Sequence, residues 1–333
     1  MAEKAVTPKS ICLIGAPVDS GKRQKGCRMG PDAFHVAGLV KALQDLEHNV
    51  RDMGSIIPSE ILSSPIDVPI PDPMLDDAML DDPMFDEPII HEPEQTVNWI
   101  ESLQKVGEDL SDEELPIFLG GDHSLSMGSV SAMAMRAAKM DHKLFLLWID
   151  AHSDFNTPMT SESGHTHGMS LAWLTGQPGF EVEGFPSPPC PVPGERVALV
   201  GLRSVDRIER IGLKSSGIEL INIRSVGEGG VRAPLLLDYL NWVREEEGLL
   251  HVSFDADSLD PSLAPGTGTP VSGGLGLREA YLIMEMIHES GLLSSLDLAE
   301  LNPFLDNRGQ TAKLLIDLTA VIFGEQVFAG TKD

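Results

Sequence analysis

Apolar runs at residues 115–119, 144–149 and 251–254 each end at a short island of metal-binding side chains, and that coupling constrains the fold more than any other feature of the chain. His123 follows the first run, in Gly-Gly-Asp-His-Ser. Asp150, His152 and Asp154 follow the second, in Asp-Ala-His-Ser-Asp, and Asp255 and Asp257 close the third, in Phe-Asp-Ala-Asp. Continuous apolar runs of this length read as strands buried on both faces, as in a parallel sheet, which presents functional side chains beyond the carboxyl ends of its strands. The runs therefore predict a central, mainly parallel sheet with the islands gathered at one end.

Spacing adds direction. Side chains two apart on an extended segment point the same way, which aims Asp150 with His152, and Asp255 with Asp257, at a common point. The converging set holds more ligands than a lone zinc needs and is richer in oxygen. It suits a pair of ions with bridging carboxylates, and manganese is the fitting metal. In such pairs a bound water loses its proton near neutral pH and becomes a nucleophile.

Each residue also has a plainer explanation. An isolated Asp at a strand end commonly caps a turn or helix, and a lone His after a strand is more often packed or solvated than ligating. The islands together reverse that balance, because capping does not call for His in two of them and paired carboxylates in two.

The remaining segments read as scaffold. Helical apolar spacing recurs at residues 31–46, 124–139, 233–246, 278–289 and 311–328, alternating with strands and without a linker, so the 333 residues (1–333) read as one α/β domain with a large core. The formal charge of −27 argues against nucleic acid or an anionic membrane as partner and favours approach of a cationic substrate. Cys12, Cys27 and Cys190 form no disulfide pattern, and no apolar run is long enough to span a bilayer, so the expected setting is reducing and cytoplasmic. Gly21-Lys22-Arg23, downstream of Gly15, lacks both the spacing and the hydroxyl residue of a phosphate loop. A stretch at about 58–93, rich in Pro, Asp and Met, reads as a solvated surface excursion, since Pro opposes helix and central strand.

These motifs make the chain similar to the arginases, within the ureohydrolase family of metal-dependent guanidino hydrolases. The similarity runs through Ile14-Gly-Ala-Pro, Met29-Gly-Pro-Asp, Gly120-Gly-Asp-His-Ser, Trp148-Ile-Asp-Ala-His-Ser-Asp-Phe-Asn-Thr-Pro, Ser163-Gly-His-Thr-His-Gly, Val200-Gly-Leu-Arg-Ser-Val-Asp, Ser253-Phe-Asp-Ala-Asp-Ser-Leu-Asp-Pro, Gly266-Thr-Gly-Thr-Pro and Leu298-Ala-Glu-Leu-Asn-Pro, in the family's order and spacing. The resemblance implies a three-layer α/β/α fold, a homotrimer or homohexamer, and hydrolysis of L-arginine to L-ornithine and urea by a hydroxide that bridges two Mn2+ per subunit.

It also implies roles. His123, Asp150, Asp154 and Asp255 would serve one manganese, and His152, Asp150, Asp255 and Asp257 the other, with Asp154 holding the hydroxide as well. His167 matches the proton shuttle, for which an imidazole is well suited. Glu300 matches the carboxylate that grips the guanidinium, with Thr269 beside it. Asn156 and Ser163, with Ser161, match the α-carboxylate contacts, and Asp206 matches the α-ammonium contact, with Glu209 behind it through water.

One position departs from the pattern: His165 stands where arginases usually carry Asn, and an imidazole still offers a donor to a carboxylate. Other guanidino hydrolases, acting on agmatine, guanidinobutyrate or guanidine, are the alternative. Agmatine has no carboxylate and would leave Asn156 and Ser163 unpaired. A deacetylase of similar fold would not need both His123 and Asp257, and a catalytically silent binding protein would show neither metal nor urea release.

Overall fold

The computed structural model describes residues 7–22, 24–58, 88–221 and 234–326. Its strands are β1 (Ser10–Ala16), β2 (Asn49–Ser55), β3 (Glu114–Gly120), β4 (Leu144–Ile149), β5 (Val197–Val200), β6 (Glu219–Ile221), β7 (Leu249–Asp255) and β8 (Leu293–Ala299). They form one 8-stranded sheet in the order β2-β1-β3-β8-β7-β4-β5-β6, and every neighbouring pair is parallel. The expected parallel sheet is present, and the expected strands fall within β3, β4 and β7.

Helices cover both faces: α1 (Gly30–Ala37), α2 (Leu39–Asp45), α3 (Pro93–Asp109), α4 (Leu125–Lys139), α5 (Ser170–Leu174), α6 (Arg207–Ser216), α7 (Pro234–Glu245), α8 (Leu277–Ser290) and α9 (Gln310–Ile322). Alternate strand residues feed separate cores. Ile11, Leu13, Phe145, Leu147 and Ile149 pack with α1, α2, α7, α8 and α9 on one face. Cys12, Ile14, Leu144, Leu146 and Trp148 pack with α3, α4, α5 and α6 on the other. That period-two division over strands buried on both sides is what their unbroken apolar sequence required, and it gives the three-layer α/β/α architecture.

Two helical expectations need correction. Residues 31–46 are not one helix, because Gly38 takes φ 103, a left-handed conformation that ends α1 and restarts the chain as α2. The helix expected over 311–328 closes at Ile322, with Gly324 at φ 108; residues 327 and 328 lie outside the described residues. Helix α3 escaped the sequence reading, although Pro93 supplies the fixed φ suited to a first helical turn.

Of the 58–93 stretch, residues 59–87 lie outside the described residues. Its last part is held down rather than solvated: the Ile89 and His91 amides donate to the carbonyls of Pro158 and Gly164, each at 2.8 Å.

Strand order positions the chemistry. His123 follows β3, Glu300 follows β8, Asp255 ends β7 and Asp150 follows β4, and these four strands are consecutive across the middle of the sheet. Their carboxyl ends therefore form one wall. A surface cavity of about 540 Å³ opens at the other end, lined in part by Lys9, Glu114, Arg136 and Leu249, and shares no residue with that wall.

Candidate metal centre

Backbone geometry brings the islands inward. At Gly121 an added Cβ would stand 1.7 Å from the Val18 carbonyl, so only glycine permits the turn that delivers His123. Asp150-Ala-His152 and Asp255-Ala-Asp257 share one local device: in each, the first carboxylate accepts the backbone N–H two residues on, at 2.7 Å. Asp154 and Glu300 hold positive φ, 47 and 65, unusual outside glycine and characteristic of side chains fixed for function.

His123 Nδ1 lies 3.0 Å from Asp150 Oδ2, 3.2 Å from Asp154 Oδ2 and 3.0 Å from Asp255 Oδ2. His152 Nδ1 lies 3.5 Å from Asp150 Oδ1 and 3.1 Å from Asp257 Oδ2. Among the described residues these gather as His123, Asp150 and Asp154, and as Asp150, His152 and Asp257, each compact enough to hold a metal ion. Asp150 belongs to both. Asp255 faces His123, while its Oδ1 is taken by the Asp257 amide.

Further contacts fix these ligands. His123 Nε2 is 2.9 Å from Ser253 Oγ, its ring stacks on Trp148 at a centroid distance of 4.1 Å, and Trp148 Nε1–H donates to Asp150 Oδ2 at 2.9 Å. Such supports orient metal ligands. Arg203 ties down the loop after β7, donating to the carbonyls of Asp257, Ser258 and Leu259.

Electrostatics give a test of whether metal fits. Asp150, Asp154, Asp255 and Asp257 are all at least 96% buried by their 0%, 4%, 2% and 2% exposures, so their mutual repulsion is barely screened. Burial and the Asp150 charge push the Asp154 carboxyl up to about 7. Burial, Asp257 and Asp150 drive Asp255 well above the carboxylate range. Burial acts against a charged His152, yet Asp150 and Asp257 prevail and push it up to about 12. Burial is likewise outweighed at His123 by Asp150, Asp154 and Asp255, which hold it well above the usual imidazole range. Moreover, His123 Nδ1 and Asp154 Oδ2 are buried without a hydrogen-bond partner despite standing among acceptors. Crowded oxygens around unsatisfied nitrogen, with excess buried negative charge, are what divalent cations relieve. The donor set fits.

The other expected site residues fall into neighbouring groups. Glu300, 1% exposed, accepts the His123 amide at 2.9 Å through Oε1, and His167 Nδ1 lies 3.4 Å from the same oxygen. Burial opposes ionisation of both, but Lys22 and His167 hold Glu300 well below its usual range, and Glu300 raises His167. Asn156 Nδ2 donates to Asp206 Oδ2 at 2.9 Å; Asp206 Oδ1 also caps α6 through the Ile208 and Glu209 amides. Glu209 accepts from the amides of Phe155 and Asp206. Thr269 Oγ1 donates to Asp257 Oδ2 at 2.9 Å, so its hydroxyl sits on a candidate metal ligand. Ser161 Oγ accepts the Gly164 amide and Ser163 Oγ the His165 amide, shaping their own loop. The His165 ring lies 5.4 Å from His91 and 5.8 Å from His167. Sequence reasoning missed Arg203, Ser253 and above all Lys22, whose Nζ is hydrogen-bonded and ion-paired to Glu300 Oε2. No local pattern signals a contact 278 residues apart in the chain.

A parallel α/β sheet with adjoining His/Asp clusters at the carboxyl ends of its central strands is an arrangement that could serve a metal-dependent hydrolase. Comparison with known proteins narrows the class. The model of the Arginase family matches residues 9–324. An arginase of Brucella melitensis is 44% identical over 315 residues, covering 95% of this chain and 96% of that one. The crystal structure of arginase from Bacillus cereus superposes with TM-score 0.80 at 30% identity, covering 96% of this chain and 100% of that one, and the arginase from Bacillus caldovelox with TM-score 0.79 at 33%, covering 96% and 99%. The chain belongs to the arginase family and is a hydrolase of a guanidino carbon–nitrogen bond. No helix among the described residues is long and apolar enough to cross a membrane.

Proposed function

We propose that the chain hydrolyses L-arginine to L-ornithine and urea with two Mn2+ per subunit. The observation that carries this reading is the shared carboxylate: Asp150 presents one oxygen to His123 and the other to His152, beside a Glu300–His167 pair. The identity with named arginases supports the choice of substrate. His123, Asp150, Asp154 and Asp255 would hold one ion, and His152, Asp150, Asp255 and Asp257 the other. The ions would supply an acidified water as nucleophile and stabilise negative charge as it develops.

The chain's own residues do the rest. Glu300 binds the guanidinium, a planar cation matched to a carboxylate. Asn156, Ser161, Ser163 and His165 bind the α-carboxylate end, and Asp206, backed by Glu209, the α-ammonium. The acidified water, having lost one proton to solvent, adds through its oxygen to the guanidinium carbon, and the Asp154 carboxylate takes up the remaining hydroxyl proton. Cleavage of the bond to the departing nitrogen is completed by a proton from His167, which leaves ornithine as the amine and urea as the second product. We read residues 1–333 as a single catalytic domain of a cytoplasmic homotrimer or homohexamer.

The test is direct: manganese-loaded protein is incubated separately with L-arginine, agmatine, guanidinobutyrate and guanidine, and urea is measured. Urea chiefly from arginine is expected. Preference for agmatine or guanidinobutyrate would replace the substrate assignment, and no urea from any of them would overturn the reading.

A further inference from the structure

Lys22 is a cation for which the reaction scheme has no use. Its side chain is 3% exposed, yet its ammonium sits on Oε2 of Glu300, the carboxylate assigned to the guanidinium. The other oxygen of Glu300 already accepts the His123 amide and faces His167. Cys27 Sγ stands 3.5 Å from Oε2 on a further side. A guanidinium that approached this carboxylate would find Oε2 taken. We propose that Lys22 is an internal occupant of the guanidinium subsite, which neutralises Glu300 in the substrate-free protein and is exchanged for the cationic head of the substrate on binding. The proposal rests on the reading of Glu300 as the guanidinium carboxylate.

Geometry supports an exchange rather than a fixed pair. A Cβ on Gly268, next to Thr269, would stand 2.8 Å from Nζ, so the ammonium rests against the loop that carries Thr269. Asp122 and Asp19 lie close enough for their charges to act on Lys22, which gives a displaced ammonium anionic surroundings nearby. Lysine is a point charge on a flexible stem, able to swing its head while the stem stays buried; an arginine fork would lock onto the carboxylate. Exchange also discriminates. A neutral head group that displaced the ammonium would leave a buried carboxylate short of the charge Lys22 supplied, whereas a guanidinium restores the balance.

The consequence is that wild-type affinity for a guanidinium is lowered by the fraction of molecules in which Lys22 occupies the subsite. Calorimetric titration of manganese-loaded wild type, Lys22→Met and Lys22→Gln with guanidinium chloride at constant ionic strength tests this without turnover. The same titration with L-citrulline, which carries a neutral ureido head, is the control for a merely structural role. Guanidinium binding about tenfold tighter in a folded, metal-replete variant, with no tightening for citrulline, is expected. The KM for arginine falls with it. Equal or weaker guanidinium binding in both variants overturns the proposal. Failure to release urea from arginine, with guanidinium binding still tightened, would remove the arginine reading and leave the exchange standing.

Discussion

Asp150 faces two imidazoles with different oxygens: Oδ2 lies 3.0 Å from His123 Nδ1, and Oδ1 lies 3.5 Å from His152 Nδ1. Among the described residues Asp150 is the carboxylate common to both compact groups, and in the proposed ligand sets Asp255 joins it. Asp150→Ala should therefore deplete both ions and leave urea release near background, whereas His152→Ala should deplete mainly one. Elemental analysis after dialysis at a fixed free manganese concentration decides it. Full retention of manganese by Asp150→Ala would show that the shared carboxylate is not a ligand.

The same cluster sets a pH dependence of metal uptake. In the metal-free protein His152 is held up to about 12 by Asp150 and Asp257 against the cost of burial, and Asp154 is raised to about 7 by burial and the Asp150 charge. Both therefore carry protons near pH 6 that a cation must expel before it can use those lone pairs. Raising pH favours proton loss, so manganese affinity should climb between pH 6 and 8, with net proton release on binding. Calorimetry in buffers of different ionisation enthalpy measures that release directly. A binding enthalpy independent of buffer would contradict it.

His167 stands 3.4 Å from Glu300 but contributes to neither compact ligand set. Its replacement by Ala should leave manganese content intact and lower turnover by roughly 10²–10⁴-fold, the range for loss of a general acid. Small imidazoles added to the variant should restore part of the rate. Turnover equal to the wild type would strip His167 of its proton-transfer role.

Much of this was legible in the chain because its determinants are local. Strands β3 and β4 announce themselves as apolar runs and β7 as an apolar stretch interrupted by His251 and Ser253, and the two-residue spacings after β4 and β7 aim side chains together without help from distant contacts. What stayed hidden depends on long-range placement or on a single dihedral. The apolar period through residues 31–46 is continuous, and only the left-handed turn at Gly38 divides it. Thr269 could be placed near the substrate, but its hydrogen bond to Asp257 depends on how the long connection after β7 folds back on itself. Lys22 lay in a segment read only as a failed phosphate loop, and its meeting with Glu300 emerges once β1 and β8 flank β3.

Asp206 unites a structural and a binding task, and the two are separable. Its Oδ1 accepts the Ile208 and Glu209 amides in a full capping box at the start of α6, while Oδ2 accepts from Asn156. A cap of this kind contributes about 1 kcal/mol. Asp206→Ala should thus lower the thermal midpoint and, by freeing Asn156 and removing the charge assigned to the α-ammonium, raise the KM for arginine. Asn is an equally good capping residue but neutral, so Asp206→Asn should recover most of the midpoint while the KM remains high. Thermal unfolding and Michaelis constants for both variants, at matched manganese content, separate the effects. Recovery of KM together with stability in Asp206→Asn would mean that the side chain serves only the helix, and the α-ammonium would then need another partner.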